Sequence, residues 1–169
     1  GPYVDIHGNS AMGSAQLYPI LTAPYRFDNS YGWVGISHCG IFDDGAGNWF
    51  YTSQGRFPVN VGGNEYSNAI MMGHVRSIRW DANGWPLVMP ERYGAVPQAP
   101  ITENEIAGDW EHLALTNSTG TQRTSETMTY DLDTHKITSG SWKNATWTFD
   151  AATQTITTSA GVVLYLQRE

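Results

Sequence analysis

Four groups of residues in this 169-residue chain could carry chemistry. His38 stands beside Cys39, the only cysteine, within VGISHCGIF. Asp43 and Asp44 follow at once and open the segment DDGAGN. Glu103, Glu105, Asp109 and Glu111 gather acidic charge along ITENEIAGDWEH. Trp33, Trp49, Trp80 and Trp85 could stack on sugar rings. A Cys–His pair is the apparatus of thiol catalysis, and a carboxylate pair is that of glycoside hydrolysis.

Each group has to be weighed against an ordinary structural role. If VGISHCGIF is a strand, neighbouring side chains leave on opposite faces, so His38 cannot activate Cys39. Cys39 is then expected as a small buried core residue. Two readings of His38 stay open: a core histidine bonded to a backbone carbonyl, or a metal ligand or active-site hydrogen-bonding group. Zinc would need further His, Cys or carboxylate partners, and none stands at ligand spacing. His7, His74, His112 and His135 are scattered singly and read as surface or core residues. Asp43 and Asp44 precede Gly45 and suit a turn. No Glu closes a twelve-residue calcium loop after them. The four acidic residues from Glu103 to Glu111 read as solvated, and no pair looks like an acid and a base held across a cleft. For each tryptophan, packing is the simpler role.

The elements that must position these residues follow from composition. Eighteen Gly, seven Trp, nine Tyr and only 15% charged residues describe an ordered, turn-rich β-protein. No run carries the 3.6-residue period of a long helix. The net charge of −7, with no Lys/Arg cluster to offset it, repels a phosphate backbone, so nucleic acid is not an expected partner. No apolar run reaches membrane-spanning length, so no membrane is expected either. One cysteine excludes an intramolecular disulfide and leaves the redox compartment open. Neutral substrates such as sugars suit this balance. The chain opens on Gly1-Pro2 without Met and reads as having been cut.

Residues 1–94 form a first region, 95–100 a linker and 101–169 a second domain. AQLYPILTAPYRF is expected to hold one short strand, limited by its prolines. VGISHCGIF, the turn DDGAGN and WFYTSQGRF read as one hairpin; IMMGHVRSIRW, the turn DANG and WPLVMP read as another. Four antiparallel strands in about 55 residues match one blade of a β-propeller, and the chain holds no second copy. Beyond the linker, IAGDWEHLAL, SETMTYDL, HKITSGSW, TWTFDA, TQTITTS and VVLYLQR alternate like six short strands of a small barrel or sandwich. In TWTFD, Trp147 and Phe149 share one face.

Taken together, GPYVD, GISHCGIF, NWFYTSQGRFPV, NAIMMGHVRSIRWDANGWPLVMPERYG, GDWE and LYLQRE resemble the C-terminal part of bacterial endo-α-1,5-L-arabinanases of glycoside hydrolase family 43, in the subset with an extra C-terminal β-domain. The resemblance runs over nearly the whole chain and is most specific from Ser37 to Tyr93. It implies an all-β fold: the last blade region of a five-bladed β-propeller, followed by a small antiparallel β-barrel or sandwich. It also implies a secreted enzyme that cleaves α-1,5-linked arabinan with inversion. Three carboxylates do this chemistry in the family, all upstream of the segment resembling GPYVD, so no catalytic residue is assigned here. His38 falls where the family places a calcium-ligating histidine at the propeller axis, with water filling most of the shell. Gln54 and Arg56, alternating to one face of the next strand, become substrate-binding candidates in the same axial region. The implied partners are arabinan or arabino-oligosaccharide and a chain bringing the first blades, without which this one is expected to be inactive. The competing reading is a non-catalytic, lectin-like carbohydrate-binding β-protein.

Overall fold

The computed structural model describes residues 3–5, 8–13, 23–114 and 121–168. The chain divides into two compact units, Gly1–Tyr93 with Leu113–Thr124, and Gly94–His112 with Ser125–Glu169.

In the first unit a short β1 (Tyr25–Arg26) precedes four longer strands: β2 (Val34–Asp43), β3 (Trp49–Arg56), β4 (Met72–Trp80) and β5 (Pro86–Arg92). The four form one antiparallel sheet in the order β2-β3-β4-β5, as the alternating segments and their turns predict. Register assigns the faces. Trp49, Tyr51 and Ser53 pair with Ile78, Arg76 and His74, and so share one face. Phe50, Thr52 and Gln54 pair with Ser77, Val75 and Gly73 on the other. The first face buries Tyr51, Ile78 and Val88, with Ile36 and Trp49 packed against them. On the second face Phe42 stacks on Phe50, which also meets Tyr93; Phe42 and Tyr93 remain 45% and 48% exposed.

One turn closes both hairpins of this sheet. Asp44 N donates to Asn48 O (3.1 Å), and Asn48 N donates back to Asp44 Oδ1 (3.0 Å). Asp81 and Trp85 repeat the exchange at 2.9 and 2.8 Å. A third copy lies near the start of the chain. Asp5 N donates to Asn9 O (2.9 Å), Asn9 N donates to Asp5 Oδ1 (2.8 Å), and Val4 bridges Ser10 antiparallel. The four-strand unit is not repeated among the described residues, but its turn is. The aspartate side chain does what a backbone carbonyl would do, which is why Asp leads each turn. This is the structural role that the sequence assigns to the Asp43–Asp44 pair.

The segment AQLYPILTAPYRF contributes β1; its residues 15–22 lie outside the described residues, as does His7. β1 pairs in parallel with β7 (Arg123–Thr124), Tyr25 opposite Arg123. Arg123 N donates to Pro24 O (2.8 Å) and Arg26 Nε to Thr124 Oγ1 (2.9 Å). These bonds group Leu113–Thr124 with the first unit, whereas sequence continuity places that stretch within 101–169.

The second unit is a meander of β6 (Gly108–His112), β8 (Glu126–Asp131), β9 (Lys136–Ile137), β10 (Trp147–Asp150), β11 (Thr155–Thr158) and β12 (Val163–Tyr165). The strands form two antiparallel three-stranded sheets, with a Lys136–Thr146 bridge between β9 and β10. Ile101, Ile106, Met128, Tyr130, Ile137, Trp147 and Ile156 make one buried core, and Phe149 packs against it beside Trp147 as the alternation requires. A single 3-10 turn, Glu103–Ile106, leads into β6. Glu105 Oε2 accepts from Thr102 N and Thr102 Oγ1, both at 2.8 Å. Among the described residues no helix is long and apolar enough to cross a membrane.

Cys39 corrects the sequence expectation. It is exposed, not buried in the core. β2 lies at the edge of its sheet, and its residues from Ser37 to Asp43 are all exposed. Edge position is a tertiary property that alternation along one strand does not reveal.

Candidate functional site

The polar group centred on His38 is built by an irregular stretch of β2. Gly35 and His38 have φ of 60° and 52°, in the left-handed region, and the register to β3 shifts between Val34 and Ser37 and again between Ser37 and Gly40. Such bulges re-aim side chains at a sheet edge. Strict alternation therefore fails at His38, the residue for which the sequence argument relies on it. His38 and Cys39 are both exposed, and no hydrogen bond joins them.

The irregularity brings the three predicted site residues to one stretch of edge. Ser37 pairs with Gln54 across the ladder, and Gln54 Nε2 donates to Ser37 Oγ at 2.9 Å. Ser37 Oγ lies 3.4 Å from His38 Nδ1. In the tautomer that donates from Nδ1 to the serine, Nε2 keeps its lone pair available to a ligand. Arg56 lies over Gly35: a Cβ placed on that glycine would stand 2.6 Å from Arg56 Nε. With φ also positive there, Gly35 is required twice over. Gln54 and Arg56 alternate on one face of β3, with one turned onto Ser37 and the other onto Gly35.

These residues fit a hard cation in one way only. No group of three or more His, Cys, Asp or Glu side chains capable of holding a metal exists among the described residues. His38 offers a single nitrogen, so an ion there would draw its other ligands from water or from groups outside the described residues. The aspartates with shifted titration are turn formers. Asn48 and Ala46 hold the Asp44 carboxyl below the usual range, as Thr134 does for Asp131 and Thr153 for Asp150.

Behind this edge, on the opposite face of the sheet, lies a network that sequence reasoning passes over. Arg76 is 0% exposed. Its Nε donates to Tyr25 Oη (3.0 Å) and Pro90 O (3.3 Å), and its Nη1 to Ser53 Oγ (3.2 Å). Its Nη2 donates to His74 Nδ1 at 2.8 Å. Tyr25 Oη in turn donates to Pro90 O. A guanidinium has only donors, so Nδ1 of His74 must be the bare nitrogen and Nε2 carries the hydrogen. That Nε2 is buried without a partner among the described residues. Burial, then the nearby Arg76 and Arg92 charges, push the His74 pKa down to about 4. Trp33 closes over the ring edge-on, centroids 4.2 Å apart, and itself stacks on Phe57 and under Arg92. One signal was legible: alternation in HVRSI puts His74, Arg76 and Ile78 on one face, and an arginine among core positions is the anomaly.

Trp33, Trp49 and Trp80 each meet another ring of the chain. Trp49 and Trp80 meet edge to face at 5.4 Å, and Trp33 is engaged as described. In the second unit, His112 lies 3.3 Å from Glu126 and 4.7 Å, ring to ring, from Trp142, while His135 is 3.3 Å from Glu103.

Comparison with known proteins adds family evidence. Residues 90–167 match the family GH43_C, described as a C-terminal lipocalin-like domain. That match covers a little under half of the chain. Solved family 43 structures share the fold over 94% of the chain. Endo-1,5-α-L-arabinanase from Thermotoga petrophila, in complex with Tris, aligns with a TM-score of 0.71 at 20% identity, and a second structure of that enzyme at 0.69 and 20%. A family 43 glycoside hydrolase from Bacillus licheniformis, the YxiA protein, aligns at 0.65 and 21%. The chain spans 35%, 36% and 37% of those three chains respectively, about a third of each. No curated protein sequence matches it. The domain match over residues 90–167 and the fold shared with these structures agree with the resemblance read from the chain's segments.

Proposed function

We propose that this chain is the C-terminal portion of a secreted family 43 endo-arabinanase that hydrolyses α-1,5-linked arabinan with inversion. The observation that carries the reading is the GH43_C match over residues 90–167, joined to a first unit that shares its fold with arabinanases. The four-stranded sheet then serves as one blade of a propeller. The catalytic carboxylates belong to the remaining blades, supplied by a preceding segment or by a partner chain. A polymeric substrate, which does not cross membranes, suits an enzyme that works outside the cell.

Within that frame His38 is a calcium ligand through Nε2, with Ser37 orienting the ring. Gln54, braced on Ser37, and Arg56, laid over Gly35, present neutral and cationic donors to sugar hydroxyls beside it. A bound calcium ion would supply fixed positive charge that lowers the pKa of neighbouring carboxylates. The chain's own residues hold the position: the left-handed backbone at His38 turns the ring outward, and the Ser37–Gln54 bond ties that bulge to β3.

The test is reconstitution. The chain alone is expected to release no reducing sugar from linear arabinan, and to do so when combined with the complementary blades of a family 43 arabinanase. Replacing His38 with Ala in that assembly should lower both bound calcium and turnover. Robust hydrolysis by the isolated chain overturns the division of labour. Binding of arabinan without cleavage in the complete assembly selects the lectin-like reading.

A further inference from the structure

We infer that His74 is a positioning residue for the candidate site, setting Gln54 and Arg56 from the far side of the sheet through the backbone of Gly55. The inference rests on the proposed substrate-binding role of those two side chains for its meaning. Its geometry stands apart from that role.

Gly55 lies between Gln54 and Arg56 on β3, and its missing side chain faces the His74 ring. A Cβ at Gly55 would stand 3.1 Å from His74 Cε1 and 3.3 Å from Nε2, tighter than ordinary contact. The φ of Gly55 is not in the left-handed region, so backbone conformation does not demand glycine there. What demands it is the imidazole. The ring has no freedom to retreat, because Arg76 holds Nδ1 from one side and Trp33 closes on it edge-to-face at 4.2 Å. The two side chains flanking Gly55 are those that grip the bulged part of β2: Gln54 through Ser37 and Arg56 through Gly35. A shift of the imidazole therefore passes to Gly55 and on to both site residues.

The arrangement holds only while His74 is neutral. Arg76 occupies Nδ1 as a donor, so a proton cannot enter there without expelling the guanidinium. The charged groups around the ring are cationic: Arg76 on β4 and Arg92 on β5. β1 contributes Tyr25, whose hydroxyl burial keeps protonated, and β3 contributes Ser53 and Gly55, which carry no charge. Protonation would set two cations in contact in a buried space. The ring would then have to leave Arg76 and press towards Gly55 or Trp33. Nε2–H has no partner among the described residues, so no bond on that side holds the ring against such a shift.

The experiment is a pH titration, between about pH 7 and about pH 3, of the isotopically labelled 169-residue chain, following side-chain NMR signals. We expect the His74 ring to stay in the Nε2–H form down to about pH 5. The Gln54 side-chain amide and Arg56 Nε–H signals should move with the His74 midpoint near pH 4. His74→Asn, which keeps an acceptor for Arg76 but cannot titrate, should abolish that movement. Gly55→Ala should displace both signals at every pH. Flat Gln54 and Arg56 signals through the His74 titration overturn the inference. So does a response that persists in His74→Asn, or unfolding of the whole unit in place of a local response. Adding arabino-oligosaccharide at neutral pH separates the two ideas: if the Gln54 and Arg56 signals ignore the sugar, the substrate-binding role falls while the His74–Gly55 coupling is still decided by the titration.

Discussion

The two units solve the problem of a small core in opposite ways. The second buries seven apolar or aromatic side chains in one cluster, and pins its leading turn with Thr102, Glu105 and Arg168 on the surface. The first has only three buried residues in its apolar cluster, and sets the buried Tyr25 and Ser53 around a guanidinium and an imidazole. It also leaves Phe42, Ile41 and Tyr93 exposed along a sheet whose β2 edge carries no partner strand among the described residues. A self-sufficient β-domain covers its apolar surface and blunts its edges. The second unit is thus built to stand on its own contacts, and the first to be covered.

The contrast can be broken most severely at the two centres. Arg76→Ala removes the hub of the first unit and should cost about 3–5 kcal/mol there, from lost bonds and the cavity left behind. Trp147→Ala should cost a similar ~3–5 kcal/mol in the second unit. Amide hydrogen exchange resolved by residue would show each loss confined to its own unit; a loss spread evenly over both would erase the distinction. Arg76→Met should be far milder than Arg76→Ala, because filling the space without a charge removes the burial penalty along with the bonds.

Acid should separate the units next. His74 falls from an ordinary 6.5 to about 4 on folding, so the unfolded chain takes up the proton first. Its contribution is complete above pH 6.5 and declines as pH falls towards 4, by at most about 3 kcal/mol. In the second unit Glu105 is held down to about 2, against an ordinary 4.5, chiefly by the backbone of Thr102 and then by Arg168. That contribution is present above pH 4.5 and lost as pH falls towards 2. Between pH 6.5 and 4.5 the first unit should weaken while the second holds. Denaturation followed by unit-specific probes at a series of pH values would show whether the order reverses. The smallest effect belongs to the surface. Cys39→Ser should change stability by no more than about 0.5 kcal/mol, and the native thiol should react with a maleimide without unfolding. A protected thiol would mean that the β2 edge is covered.

How much of this was legible in the sequence depended on distance along the chain. The four strands from β2 to β5 and their turns were readable because period-two alternation and Asp/Gly/Asn clusters are local signals. The six strands of the second unit were readable for the same reason. The exposure of Cys39 was not, because alternation says which residues share a face but not whether that face or edge is covered. β7 was missed because its partner β1 lies 98 residues away by the Arg26–Thr124 bond. Alternation sets Arg76 among core positions but does not reveal the partners that satisfy it there, Tyr25, Ser53 and Pro90, from 51, 23 and 14 positions away. Of the site, His38, Gln54 and Arg56 could be named from segment resemblance. The bulge that unites them could not, since it depends on two left-handed residues, one of them not glycine.

The recurring aspartate turn bears on how the chain reaches this state. The copies at Asp44–Asn48 and Asp81–Trp85 close their loops with contacts supplied from within, so these hairpin tips can form in about 1–10 μs. Joining the β2–β3 hairpin to the β4–β5 hairpin requires closing the longer connection from Phe57 to Met71, a slower search because more of the chain must be ordered first. Folding of the sheet should then proceed as two quick zippers and one slow clasp, with the Arg76 network locking only when the clasp shuts.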